Sequence, residues 1–230
     1  MLGHLPGEWS LGKTWPIGSP KESMASKLTS SGPSAAWTLP RLLTAFNLLT
    51  PGAGEPAWRQ VAGISLKPAA VLIPVIVRDS QLSVLFTRRS VQLRHHPGQI
   101  SFPGGRQDPD DGDLATTALR ETREELGIPA HYIQLLGELP AHTTVSHYRM
   151  VPFIGLLAPN YPLIPAADEV AEAFELPLAP LLDPANYGRW QVQRGSQRHT
   201  VLGITLQQRL VWGATARILW QLARQVSGTT

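Results

Sequence analysis
Glu121, Glu124 and Glu125 fall within about one helical turn of each other, behind the glycine pair of the stretch GGRQDPDDGDLATTALRETREELGI that begins at Gly104. Like charges at this spacing cost an isolated helix about 0.2–0.5 kcal/mol per pair, so something should offset them. A hard divalent cation would, because Mg²⁺ takes oxygen ligands, keeps several waters and commonly binds through a few carboxylates plus substrate phosphate oxygens. Such an ion can polarise a phosphorus centre and generate hydroxide from bound water. Arg120, beside Glu121 and one turn before Glu124, can orient the carboxylates through its forked donors. Gly105 lets the backbone turn tightly and present a carbonyl oxygen with no Cβ in the way. The ordinary alternative is a solvated acidic face neutralised by Arg120 and Arg123.

The element that must carry these groups is a helix with both ends marked. Asp113 is the predicted N-cap before Leu114, Gly127 the left-handed C-cap, and Pro129 prevents continuation. At 100° per residue Ala115, Leu119, Thr122 and Leu126 share one stripe, expected to face the core, with Glu121, Glu124 and Glu125 roughly opposite.

Gly105, Arg120, Glu121, Glu124, Glu125, Gly127 and Ile128 resemble the Nudix box, G-x5-E-x7-R-E-U-x-E-E-x-G-U. Two departures stand out: the interval from Gly105 to Arg120 is one residue longer, and Asp108, Asp110, Asp111 and Asp113 replace the early glutamate, with Asp111 the first choice among them. Thr122 occupies the apolar position. Upstream, Leu85-Phe86-Thr87-Arg88-Arg89-Ser90, Arg94, Gly98 and Phe102-Pro103-Gly104-Gly105 resemble the signature of the coenzyme A pyrophosphatase branch, L-L-T-x-R-[SA]-x3-R-x3-G-x3-F-P-G-G, with Phe86 the single departure. The resemblance implies an α/β/α sandwich with a mixed sheet. It also implies metal-dependent hydrolysis of the coenzyme A diphosphate to 3′,5′-ADP and 4′-phosphopantetheine, with Glu121, Glu124, Glu125 and Gly105 on Mg²⁺ or Mn²⁺.

Arg88, Arg89, Arg94 and Arg106 bracket the glycine turn, and guanidinium forks suit phosphate recognition, including an extra ribose 3′-phosphate. His95 and His96 read as a surface pair beside the turn. In Nudix enzymes a carboxylate outside the box sometimes supplies the general base, and Glu169 is the candidate; a strand-edge acidic group is the plainer reading. The loop from Pro140 to Arg149 carries His142, Thr143, Thr144, Ser146, His147 and Tyr148, which could line a cleft. Trp190, Trp212 and Trp220 are expected in the core. Two rivals remain: a Nudix hydrolase of another diphosphate such as ADP-ribose or a nucleoside triphosphate, because the box specifies the bond and not its substituents, and a silent nucleotide-binding Nudix domain.

The chain has 230 residues, a formal charge of +3 and no cysteine. That is long enough for one domain, expected over 37–230, and it excludes a disulfide framework, a thiolate zinc site and a cysteine nucleophile. No Lys/Arg block suggests nucleic acid, and no stretch reaches the ~20 apolar residues that span a bilayer. A cytoplasmic setting is expected, with a small-molecule partner and homodimerisation left open. Residues 1–36, rich in Gly, Pro and Ser, read as a disordered or loosely attached leader, with Met24 a candidate start. The remaining pattern predicts a helix at 39–49, a hairpin over 69–87, strands near 132–139, 150–157 and 170–176, and a short helix at 178–182. A second hairpin is predicted over 187–206 and a closing helix over 213–226.

Overall fold
The computed structural model describes residues 9–11, 36–48, 65–194 and 197–228. Strand β1 (Trp9–Leu11) and helix α1 (Leu39–Leu48) come first, followed by the hairpin of β2 (Lys67–Arg78) and β3 (Gln81–Arg89). Asp79 and Ser80 join the two strands with φ of 46° and 67°, the left-handed pair that matches the twist of a two-residue hairpin. Short strands β4 (Ile100–Ser101) and β5 (Gly104–Arg106) lead into α2 (Leu114–Leu126). Then come β6 (Ile133–Glu138), β7 (His142–Thr143), β8 (Tyr148–Leu157), β9 (Val170–Pro177) and the single-turn helix α3 (Leu178–Leu181). The chain continues through β10 (Gly188–Arg194), β11 (Gln197–Leu206), β12 (Arg209–Trp212) and α4 (Ala214–Val226).

The main sheet has eight strands in the order β4-β3-β2-β8-β6, with β5 also on β2, β7 on β8 and β9 on β3. It is mixed because β2 and β8 run parallel while the other pairs are antiparallel. Eight consecutive residues of β2, 69 to 76, are buried, as a strand covered on both faces requires. On one face Val71, Ile73 and Val75 join Ile218, Leu219 and Leu222 of α4. On the other, Ala70 and Leu72 pack with Ala118 of α2, and Ile76 and Leu85 with Leu126. Helices on both faces of a mixed sheet make the expected α/β/α sandwich. Among the described residues no helix is long and apolar enough to cross a membrane.

The expected hairpin over 187–206 is present as β10 and β11, which form a separate antiparallel sheet with β1 and β12, in the order β1-β10-β11-β12. Two expectations need correction. The buried stripe of α2 is Thr117, Ala118, Thr122, Glu125 and Leu126, so Leu119 is not its centre and Glu125 lies on the inner face. The helix packs on Ala70 and the glycine strand β5, where small residues allow close approach and a carboxylate can be carried inward. Trp190, Trp212 and Trp220 are only half-buried; the Trp220 ring lies under Arg224, 4.9 Å from the guanidinium carbon. β1 pairs with β10; Met24 and the remainder of the leader through residue 35 lie outside the described residues.

Candidate active site
The helix ends are built as their residues dictate. The Asp113 carboxylate accepts from the Thr116 N–H at 2.7 Å, and Gly127, at φ 67°, donates its N–H to the Arg123 carbonyl. The next free carbonyls are met by the loop ahead of β9: Ile164 donates to Leu126 and Ala166 to Glu125, each at 2.9 Å. The same loop then delivers Glu169, whose carbonyl accepts from Ser90 N–H at 2.8 Å. Capping the helix thereby brings an outside carboxylate beside those of α2.

Arg120 is the hub. Its Nε and Nη2 each donate to Asp111 at 2.9 Å, and its Nη1 donates to Glu121 at 3.0 Å and Glu124 at 2.8 Å. Nη2 also reaches the Arg106 carbonyl at 3.1 Å, tying the helix to the glycine strand. Asp111, with its side chain 4% exposed, further accepts from Asp108 N–H and the Thr117 hydroxyl, both at 2.9 Å. The Arg120 guanidinium holds Asp111 well below the usual carboxylate range, against the effect of burial. Of the four aspartates in the altered half of the box, Asp111 is the buried one that hydrogen-bonds Arg120 and fixes it, with the half-exposed Asp108 3.9 Å from the same guanidinium.

The glycine turn meets the helix at very short range. Gly104 has φ of 151°, and a Cβ there would strike the Ala70 carbonyl oxygen and lie 2.6 Å from Val71 Cα. At Gly105 a Cβ would lie 2.5 Å from the carboxylate carbon of Glu121 and would also overlap Glu121 Oε1. Only glycine leaves that carboxylate its place.

Glu125 lies 3.8 Å from Arg89 and is pushed up from 4.5 to about 8, chiefly by burial; Arg89 opposes the shift while Glu121 and Glu169 add to it. Glu121 is also raised, by burial first, with Arg120 opposing. Arg89 reaches Glu125 because consecutive residues of β3 face opposite sides and the register with β9 slips between Arg88 and Arg89. Arg88 points to the other face, where its Nε donates to Glu172 at 3.2 Å and Arg209 completes the pair at 2.6 Å. Arg94 is exposed in the loop between β3 and β4. Arg106 is exposed and lies 3.9 Å from Asp108. Glu175 is bonded by Arg78 and the Tyr161 hydroxyl, so it serves β9 packing and not the cluster.

For the metal-free protein the sign of the Glu125 effect is definite. A folded value raised above the ordinary one gives stability that is fully present below 4.5 and is lost as pH rises toward about 8. Chelator-treated protein should therefore lose more melting temperature over that window than Glu125→Gln does. A parallel fall in both, followed by differential scanning fluorimetry, would refute the assignment.

A cleft of about 480 Å³ opens on the turn, bordered by Arg89, Gly104, Gly105 and Arg106. His142, Thr143, Thr144, Ser146 and Tyr148 of the 140–149 loop line it, whereas His147 does not. His96, at φ 55° and with Nδ1 3.1 Å from Gln99 Oε1, also borders it. The opposite wall includes Leu202 and Trp212. Sequence reasoning missed that wall, since an apolar strand residue carries no local mark of facing a cavity.

Among the described residues no three His, Asp or Glu side chains form a ready-made metal cage. The donor set nonetheless fits a hard cation. Glu125 Oε2 is buried with no hydrogen-bond partner, and the carboxylate of Glu121 fills the space a Cβ at Gly105 would need.

The NUDIX domain family model matches residues 66–194, more than half of the chain and all of the carboxylate cluster. The chain belongs to the Nudix family. This Nudix chain is 41% identical over 195 residues to an uncharacterised Nudix hydrolase, NudL, of Pectobacterium atrosepticum, covering 85% of this chain and 98% of that one. It is 44% identical to a NudL of Photorhabdus laumondii over 69% of this chain and 84% of that one. Similar solved structures include the M. smegmatis Nudix hydrolase RenU, 17% identical with a TM-score of 0.47, over 71% of this chain and 87% of that one. The Nudix domain of Shewanella oneidensis NrtR, solved with ADP ribose, is 25% identical with a TM-score of 0.40, over 54% of this chain and 80% of that one. The chain is thus similar over most of its length to Nudix hydrolases, a family that generally uses divalent metal ions.

Proposed function
We propose that this Nudix hydrolase cleaves the diphosphate of coenzyme A or its derivatives, releasing 3′,5′-ADP and 4′-phosphopantetheine or its acyl form. The observation that carries the reading is that the two sequence signatures converge on one cleft. Arg89, Gln99, Ser101, Phe102 and Gly104 from the upstream signature border the same space as Gly105, the residue at which that signature joins the box.

Glu121, Glu124, Glu125 and the Gly105 carbonyl would hold Mg²⁺ or Mn²⁺. The bound ion would supply Lewis-acid polarisation of the phosphate and a more acidic water. Arg120 orients Glu121 and Glu124, and Asp111 fixes Arg120. Arg89, Arg94 and Arg106 neutralise phosphate charge, a form of stabilisation that is usually the largest catalytic contribution. Arg88, committed to Glu172, holds β3 against β9. Glu169 is the base that takes a proton from the attacking water, favoured by its place beside Glu121 and Glu125. A chain without cysteine fits a reducing cytoplasm.

The test is product analysis with coenzyme A, ADP-ribose and dGTP, each with Mg²⁺, Mn²⁺ or EDTA. Metal-dependent release of 3′,5′-ADP from coenzyme A alone is expected. Cleavage only of another diphosphate would reject coenzyme A as substrate, and no cleavage of any would favour a silent nucleotide-binding domain.

A further inference from the structure
We infer that the cleft wall made by β11, β12 and the start of α4 binds the uncharged arm of the substrate, the amide-linked chain on the far side of the diphosphate from the nucleotide. This rests on the coenzyme A reading above. The family match ends at residue 194, yet the cleft at the glycine turn is completed by Val201, Leu202, Trp212 and Ile218. The carboxylates that act on the bond and the surface that meets the rest of the substrate therefore come from different parts of the chain.

The wall is tied to the catalytic turn. Thr215, 9% exposed, donates its hydroxyl to the Ile100 carbonyl at 3.2 Å, which anchors α4 to β4 a few residues before Gly104. Gly203 pairs with Trp212 between β11 and β12, and Trp190 occupies the space over Gly203. A substrate whose diphosphate sits at Gly104-Gly105 thus meets a surface at a set distance.

The chemistry of that surface favours the arm over the nucleotide. Val201, Leu202 and Trp212 offer apolar area for methylene and methyl groups, while the Thr143 hydroxyl, and the remaining capacity of the Thr144 and Thr200 hydroxyls beyond their bonds to Tyr148 N–H and Gln191, offer neutral groups for amide N–H and C=O. Among the described residues after 194, Arg217 is the one arginine bordering the cleft, whereas Arg89 and Arg106 stand at the turn. A nucleotide bearing an additional phosphomonoester belongs with the latter pair.

The test uses the full chain with Trp212→Ala and, as a milder second change, Leu202→Ser, each checked for an unaltered melting transition. For both, KM for coenzyme A should rise about tenfold or more while kcat stays within about threefold. By calorimetry, affinity for 4′-phosphopantetheine should fall by about the same factor, and affinity for 3′,5′-ADP should stay within about twofold. If 3′,5′-ADP is the ligand that weakens, the wall holds the nucleotide and the inference is overturned. It is overturned equally if wild-type protein cleaves coenzyme A and both variants keep their KM. Wild-type protein that cleaves ADP-ribose but not coenzyme A would instead overturn the substrate reading, and the arm assignment with it; that failure is visible without any variant.

Discussion

Glu125→Gln is expected to keep its fold and lose turnover by roughly 10²–10³-fold or more. The side chain is 5% exposed, lies 3.8 Å from Arg89 and leaves Oε2 with no hydrogen-bond partner. Glutamine preserves its volume but removes the anion and one metal-ligating oxygen, so packing of the inner face of α2 survives while cation binding does not. Because burial favours the neutral form of Glu125, the amide should not destabilise the metal-free protein near neutral pH, which separates a catalytic role from a structural one. Glu121→Gln should behave alike in turnover, since its carboxylate occupies the gap left by the missing Cβ of Gly105. Steady-state kinetics at saturating Mg²⁺ or Mn²⁺, with calorimetric titration of the ion, check both. Retained activity in Glu125→Gln would remove the metal-site assignment. Glu169→Gln belongs in the same series: turnover unchanged there while Glu121→Gln is inactive would place the general base elsewhere.

Arg120→Leu should damage stability and activity together. Asp111, with its side chain 4% exposed, loses both bonds from Arg120 and keeps only the Asp108 N–H and the Thr117 hydroxyl. Leaving one partner of a buried ion pair costs on the order of 3 kcal/mol, and at this chain length each kcal/mol lowers the melting temperature by about 2–4 °C. Arg120→Lys should rescue little, because a single ammonium cannot bond Asp111 through two donors while also reaching Glu121, Glu124 and the Arg106 carbonyl. Asp111→Leu combined with Arg120→Leu should recover part of the stability but none of the turnover, since apolar groups replace the buried pair without orienting Glu121 and Glu124. Thermal melts and kcat on the four proteins decide it. Equal stability of Arg120→Leu and wild type would show that the network is only a surface feature. Asp111 is held below the ordinary carboxylate range, so its contribution is present above that range and is lost only in strong acid. Near neutral pH the difference between wild type and Arg120→Leu should therefore not vary with pH through Asp111.

Local chemistry made much of this protein legible from its residues in order. Asp113 and Gly127 bound a helix because one has an acceptor for free N–H groups and the other tolerates φ of 67°. The run from Ala69 and the alternating residues before Thr87 had to form strands because one face or both needed covering. The carboxylates of α2 and the glycine turn were recognisable because metal chemistry depends on spacing within one turn. These are properties of a few consecutive residues, and neighbours in sequence suffice to determine them.

Other features depend on what arrives from elsewhere in the chain. The sequence pattern placed Glu125 opposite the core stripe, but packing of α2 on the sheet carries it to the inner face, and burial raises it to about 8. Arg88 and Arg89 look equivalent in the signature, yet the alternation of β3 and its slip against β9 commit one to Glu172 and the other to Glu125. Asp111 gains its role from Arg120, nine positions away, and Glu169 gains its place from the loop that caps α2. The second sheet and its Trp212 wall reach the cleft because α4 docks on β4 through Thr215 and Ile100. Residue type and short-range spacing thus determined which groups this protein has for chemistry. Burial, strand side and long-range docking, which no local pattern encodes, decided which of them meet and in what electrostatic state.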